Sequence, residues 1–294
     1  MTVRSAFKSQ SIALSIGVLL VAMVSLQIGA AVAKRLFPII GSSGATTWRL
    51  AFAACLLFTI WRPWRVRPTW PEARSIVIYG LAMGAMNFMF YAAISRIPLG
   101  IAVAVEFTGP LALAMATSRR AVDFLWIALA AFGLIALLPL GRGGPSLDAM
   151  GVALALAAGV CWALYIVFGR KAGAAHGGQS AALGTLVAAL AVAPFGIAHA
   201  GMELLLPAIV PAACAVGVLS SALPYSLEMI ALTRLPTRTF GVLMSAEPAI
   251  GALSGLAFLG EALTAIQWIA IVSIMAASAG SAATSRSAVP PPAV

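Results

Sequence analysis

Two glutamates stand beside prolines inside long apolar stretches: Glu106 in "AVEFTGPLA" (104–112) and Glu247 in "LMSAEPA" (243–249). A charged side chain at the centre of a bilayer costs about 2.5–3.5 kcal/mol even on the mildest scale, so an acid kept there is expected to work. Pro110 has no N–H and frees the carbonyl of Glu106, and Pro248 does the same for Met244. A carboxylate and a freed carbonyl at one depth suit an ammonium group or a proton. Arg49, seven residues into its own apolar run, is the one clearly intramembrane cation. It either grips a carboxylate through its bidentate guanidinium or pairs with a glutamate. Asn87, Tyr91 and Tyr225 are hydrogen-bonders for the same space, or else helix-packing residues. Glu228, near the end of its run, joins them or snorkels towards Arg234 or Arg238.

The elements that must position these groups follow from composition. Of 294 residues, 62% are hydrophobic and only 9% charged, with mean hydropathy +1.04. A soluble domain carries about 25% charged residues, so the class is an all-α polytopic membrane protein. Apolar runs of membrane length fall near 11–33, 42–60, 75–94, 97–117, 122–140, 149–168, 179–199, 207–232, 236–257 and 265–283, giving ten transmembrane helices. The run from Ile12 to Ala33 exceeds the apolar core of a signal peptide and reads as the first of them. "WRPWRVRPTWPEAR" (61–74), with its three tryptophans, reads as an interfacial anchor.

Loop charge orients the bundle. With the N-terminus cytoplasmic, Arg4, Lys8, the four arginines of 61–74, Arg119, Arg120, Arg170, Lys171, Arg234, Arg238 and Arg286 lie on the cytoplasmic side. Only Lys34, Arg35, Arg96 and Arg142 lie on the other. By the positive-inside rule both termini face the cytoplasm. The net charge of +10 is spread in singles and pairs between apolar runs, which fits lipid headgroups and not nucleic acid.

A repeat underlies the order. "SRIPLGIAVAVEFTGP" (95–110) set over "TRLPTRTFGVLMSAEP" (233–248) brings Arg96 onto Arg234, Pro98 onto Pro236 and Pro110 onto Pro248. The same frame sets Asp123 on Glu261 and Asn87 on Tyr225, and a similar one sets Lys34-Arg35 on Arg170-Lys171. Five helices per repeat is odd, so the second enters the membrane from the opposite side. The chain then divides into a cytoplasmic N-terminal arm (1–10), a first five-helix repeat (11–140), an inter-repeat loop (141–148), a second repeat (149–283) and a disordered C-terminal tail (284–294). Inverted repeats of this kind place a substrate near the midplane and alternate its access between the two sides.

"IPLGIAVAVEFTGPLA" (97–112), "SRRAVDFLW" (118–126), "SALPYSLEMIALTRLPTRTFG" (221–241) and "FLGEALT" (258–264) resemble the drug/metabolite transporter superfamily of the EamA type. Within it they are similar to the bacterial inner-membrane exporters of threonine and homoserine. The resemblance runs along nearly the whole chain, apart from the N-terminal arm and the Pro-rich tail. It implies ten helices in two inverted repeats, a multi-pass protein of the inner membrane, and export of threonine and homoserine in exchange for protons. Another amino acid, a polyamine or a lipophilic cation is the alternative cargo.

Other signals read as structure. No HExxH, GxSxG or GxxxxGK[ST] motif is present, so neither an enzyme nor an ATPase is expected, and no cofactor. Cys55, Cys161 and Cys214 lie in apolar runs without CxxC spacing, and His176 and His199 form no metal-spaced pair, so no metal is expected. Gly80-x-x-x-Gly84 and Gly251-x-x-x-Gly255 read as close helix contacts. Asp123 and Glu261 read as caps or dipole partners of the helices they begin. The sequence is silent on oligomeric state.

Overall fold

A computed structural model of the chain describes residues 3–116, 121–137, 147–224, 227–228, 231, 235 and 237–284. Among these the regular structure is entirely helical: α1 (Val3–Trp61), α2 (Trp70–Ile94), α3 (Leu99–Ala116), α4 (Ala121–Leu137), α5 (Ala149–His176), α6 (Gly178–Ala200), α7 (Ile209–Gly217), α8 (Thr237–Met244), α9 (Glu247–Ser254) and α10 (Ala265–Thr284). Single turns of wider pitch extend α7 (Val218–Ala222) and α9 (Gly255–Leu259). Among the described residues six stretches are long and apolar enough to cross a membrane: Leu14–Trp61, Trp70–Ile94, Ala149–Ala174, Gly178–Leu205, Thr239–Leu259 and Ala265–Thr284. Shorter apolar helices fill the places between them. The exposed side chains are themselves apolar, as on α4 (Phe124 75%, Phe132 54%) and α10 (Ile266 58%, Val272 57%). Such faces need lipid and not water, so the chain is a polytopic membrane protein.

The first apolar stretch, 48 residues long, would span about 70 Å as a straight helix, more than twice the ~30 Å of a hydrocarbon core. It breaks instead at Gly41, whose φ of 67° and ψ of 171° leave the helical region. The left-handed φ favours glycine, and the His199 ring from α6 lies against it, so that a Cβ there would fall 2.6 Å from Nε2. The loop expected at 34–41 is thus helical up to this one residue. α1 also begins at Val3, within the expected N-terminal arm, because nothing from Val3 to Ile16 is a glycine or proline.

Helices in lipid gain little from burying apolar surface against one another and rely on close packing. The main core accordingly mixes alanines (Ala30, Ala31, Ala93, Ala102, Ala104, Ala155, Ala158) with Tyr91, Ile94, Ile97 and Ile101. Gly84 faces Ala188 of α6, and Gly251 faces Val103 of α3, as their spacing suggested. Gly255 instead makes room for the carboxylate of Glu261.

Glu261 corrects a further expectation. It does not cap α10, whose first turn is closed by Thr264 and Gln267. Its Oε2 accepts from the backbone N–H of Leu99 (2.7 Å), the first residue of α3. Its Oε1 lies 2.6 Å from Lys34 Nζ, which also donates to the Ile97 carbonyl (3.1 Å). Arg35 donates to the Phe258 carbonyl. One cluster therefore ties α1, the start of α3 and the segment before α10. At the same end, Asp148 caps α5 through Met150 N (2.8 Å) and Gly151 N (3.3 Å), and pairs with Arg96 (2.9 Å). The hydrogen bond from Arg96, helped by those two amides, holds the Asp148 carboxyl below the usual carboxylate range.

Candidate functional site

A cavity of about 200 Å³ lies where both arms of α1 meet α2, α3, α5, α8 and α9. Its wall includes Glu106, Glu247, Arg49, Asn87 and Glu228, so five of the residues singled out in the sequence come together. They come from helices far apart in sequence, and each is positioned by a different local cause.

Glu106 stands two turns into α3 and is 8% exposed. α3 runs unbroken through Pro110. The carbonyl that Pro110 deprives of its N–H is covered by α5: a Cβ on Gly159 would come 2.6 Å from the Glu106 oxygen. The carbonyl expected as a second acceptor thus lies at the contact between α3 and α5. Pro248 acts differently. The chain turns at Ser245–Ala246 and restarts as α9, with Glu247 and Pro248 in its first turn. Proline is tolerated there because the N–H it lacks would be unpaired anyway. The break delivers Glu247, 4% exposed, to the cavity at a helix N-terminus, where the backbone dipole favours a negative group.

Arg49 comes from the second arm of α1 and is 7% exposed. Its Nη2 donates to the Ser220 carbonyl (3.2 Å) in the wide turn after α7, and its Nη1 to the Tyr91 hydroxyl (3.4 Å). The guanidinium also stands 5.4 Å from the centre of the Tyr91 ring. Tyr91 is wholly buried and does not line the cavity; it holds Arg49. Asn87 lines the wall while its Nδ2 donates to the Met83 carbonyl one turn back (2.9 Å). Glu228, expected either at the cavity or snorkelling, lines the cavity. Tyr225 and Arg234 lie outside the described residues.

Sequence reasoning missed part of the wall. Gln27 of α1, 3% exposed, donates from Nε2 to Glu247 Oε1 (3.1 Å). Phe90, Trp162 and Tyr165 add aromatic surface; Trp162 meets Phe107 edge-on at 5.4 Å, and Tyr165 stacks on Tyr79 at 5.0 Å. Gln27 was detectable as a neutral amide in the middle of "AMVSLQIGA" (22–30). The aromatics carried no signal, because such residues fill apolar helices generally. His176 has Nε2 3.4 Å from Glu72 Oε2.

Acids, one arginine and two amides around one cavity can hold a small zwitterion. Residues 149–282 match the EamA-like transporter family. Threonine/homoserine exporter RhtA of Salmonella typhimurium (strain LT2) is 55% identical over 273 residues, 93% of this chain and 92% of that protein. The exporter of the same name from Escherichia coli (strain K12) is 54% identical over the same shares. The chain belongs to the EamA-like transporter family. It is a transporter and not an enzyme. A crystal structure of another protein, 21% identical, matches it with a TM-score of 0.59 over 90% of this chain and 95% of that one, which shows a shared fold. The matched segment 149–282 supplies Glu228 and Glu247 to this family member's cavity, whereas Arg49, Asn87 and Glu106 come from the half before it.

Proposed function

We propose that this chain is a secondary transporter that exports threonine and homoserine across the bacterial inner membrane in exchange for protons. Near-full-length identity to exporters of that name supports the cargo. The observation that carries the mechanism is the cavity in which Arg49 faces Glu106, Glu247 and Glu228. An amino acid brings one carboxylate and one ammonium. Arg49 binds the first and a glutamate the second, in a space too small for drug-sized ligands, which need about 300–1,000 Å³. A glutamate that holds either a proton or the ammonium makes the two mutually exclusive, and that exclusion is what exchange requires.

The proposed topology is ten spans in two inverted five-helix repeats (11–140 and 149–283), with both termini cytoplasmic. Packing supports it. Under that reading the second and seventh spans are the second arm of α1 and α6, which pack together, as do the fourth and ninth (α3, α9) and the fifth and tenth (α4, α10). Equivalent spans meeting across one axis is what a pseudo-twofold predicts.

The test is threonine and homoserine uptake into inside-out membrane vesicles, acidic inside, with wild type and Glu106→Gln, Glu247→Gln and Arg49→Gln at matched expression. Uptake abolished by an uncoupler and by at least one glutamate variant is expected. Uptake indifferent to the gradient refutes exchange. The aromatic wall of Phe90, Trp162 and Tyr165 also suits a lipophilic cation, which Arg49 would repel. If Arg49→Gln abolishes amino-acid uptake the zwitterion reading stands; if it improves uptake of such a cation, the alternative cargo replaces it.

A further inference from the structure

Resting on the reading of this cavity as an amino-acid site, we propose that Gln27 is its amine-selecting residue, holding Glu247 in place and presenting a second acceptor beside it for the substrate's ammonium. The amide has a donor end and an acceptor end. The carboxylate of Glu247 fixes which is which, because Nε2 donates to Oε1 at 3.1 Å and the reverse orientation would set oxygen against oxygen. Gln27 Oε1 and Glu247 Oε2 are then both buried and without a hydrogen-bond partner among the described residues. Buried acceptors are normally satisfied, so two exceptions on one hydrogen-bonded pair at the wall of a cavity leave a place for a proton on Glu247 or, in exchange for it, for a donor brought by the substrate.

The donor that fits is a primary ammonium. It carries three N–H groups and no acceptor, so it can satisfy both oxygens and keep one N–H for Glu106, which shares the cavity. A hydroxyl offers a single hydrogen and leaves one oxygen bare. Replacing two N–H groups by N–CH₃ leaves a single donor, which cannot satisfy both oxygens. The amide oxygen faces α9, where a Cβ built at Gly251 would lie 3.3 Å from Gln27 Oε1.

Gln27 also keeps Glu247 paired in either protonation state. With a carboxylate the amide donates; with a carboxylic acid it turns over and accepts. The Glu247 side chain thus stays in one place whether it holds a proton or the amine.

The experiment uses the full chain in proteoliposomes and compares transport of threonine with N,N-dimethylthreonine. The ratio of kcat/KM between the two compounds within one variant is independent of how much protein is folded. Wild type is expected to prefer threonine by more than about tenfold, since a site built around two N–H donors rejects the analogue that keeps only one. Gln27→Met, close in shape and without the amide, should raise the KM for threonine about tenfold and bring the preference below about threefold. Gln27→Asn, whose shorter amide cannot reach Glu247, should behave alike. A variant that folds without transporting is read by the melting shift that each compound gives. An unchanged preference in whichever variant folds overturns the proposal. Wild type that carries neither compound overturns the amino-acid reading itself, and the role of Gln27 with it.

Discussion

Alanine at Gly159 and alanine at Gly173 make a matched pair on one helix. Each replaces a glycine within α5, and each gains about 1 kcal/mol of helix propensity. They differ in what the new methyl meets. At Gly173 nothing lies within 4 Å. At Gly159 the Cβ would fall 2.6 Å from the Glu106 carbonyl oxygen and 3.3 Å from the Gly109 nitrogen, both backbone atoms of α3 that no rotamer change can move. α3 and α5 must separate, at a cost of about 1–3 kcal/mol for overpacking. The propensity gain cancels between the two variants, so this cost appears as the difference in their melting temperatures, about 2–4 °C per kcal/mol for a chain of this size class. Gly173→Ala should melt at or above wild type, and Gly159→Ala several degrees below Gly173→Ala. The shift also displaces Glu106 from the cavity, so Gly159→Ala should lose transport at temperatures where it remains folded. Two variants that melt together, with Gly159→Ala fully active, would refute the claim that the proline-freed carbonyl is sealed by α5.

Lys34→Met leaves Glu261 a charged acid with only the Leu99 amide for support, and its side chain is 14% exposed. The single change should cost about 1–3 kcal/mol, and adding Glu261→Gln should restore part of it, because removing both charges is cheaper than stranding one; strict additivity in a melting-based double-mutant cycle would contradict the tie between α1 and α3. Asp148→Asn should lower the melting temperature at neutral pH. Since the folded-state carboxyl titrates below its ordinary value, the wild-type advantage is whole above that ordinary value and vanishes as the pH falls through the lowered one. Melts across acid pH check it, and a gap that persists in acid would show that charge is not the cause.

That the chain is a helical membrane protein was legible because it depends on counts along the chain: apolar runs of membrane length, and acids too costly to be there by accident. Glu106, Glu247 and Arg49 stood out by that cost, and all three line one cavity. Local chemistry was less legible, because identical motifs sit in different surroundings. Pro110 and Pro248 are equivalent in the repeat frame, yet one lies inside an unbroken helix and the other opens a new one. What separates them is Ser245–Ala246, a short turn with no glycine or proline of its own. Glu261 makes the same point more sharply. Its position at the head of an apolar run suggested a cap for its own helix, but Thr264 and Gln267, three residues apart, already close that turn on themselves. The free carboxylate then serves the next exposed donor in space, Leu99 N, which lies 162 residues away in sequence. Lys34 can complete the pair only because α1 continues as helix past the expected end of the first span and carries the ammonium to that place. A cap is chosen by which N–H is left bare once the helices are packed, and packing is the one thing a run of apolar residues does not specify.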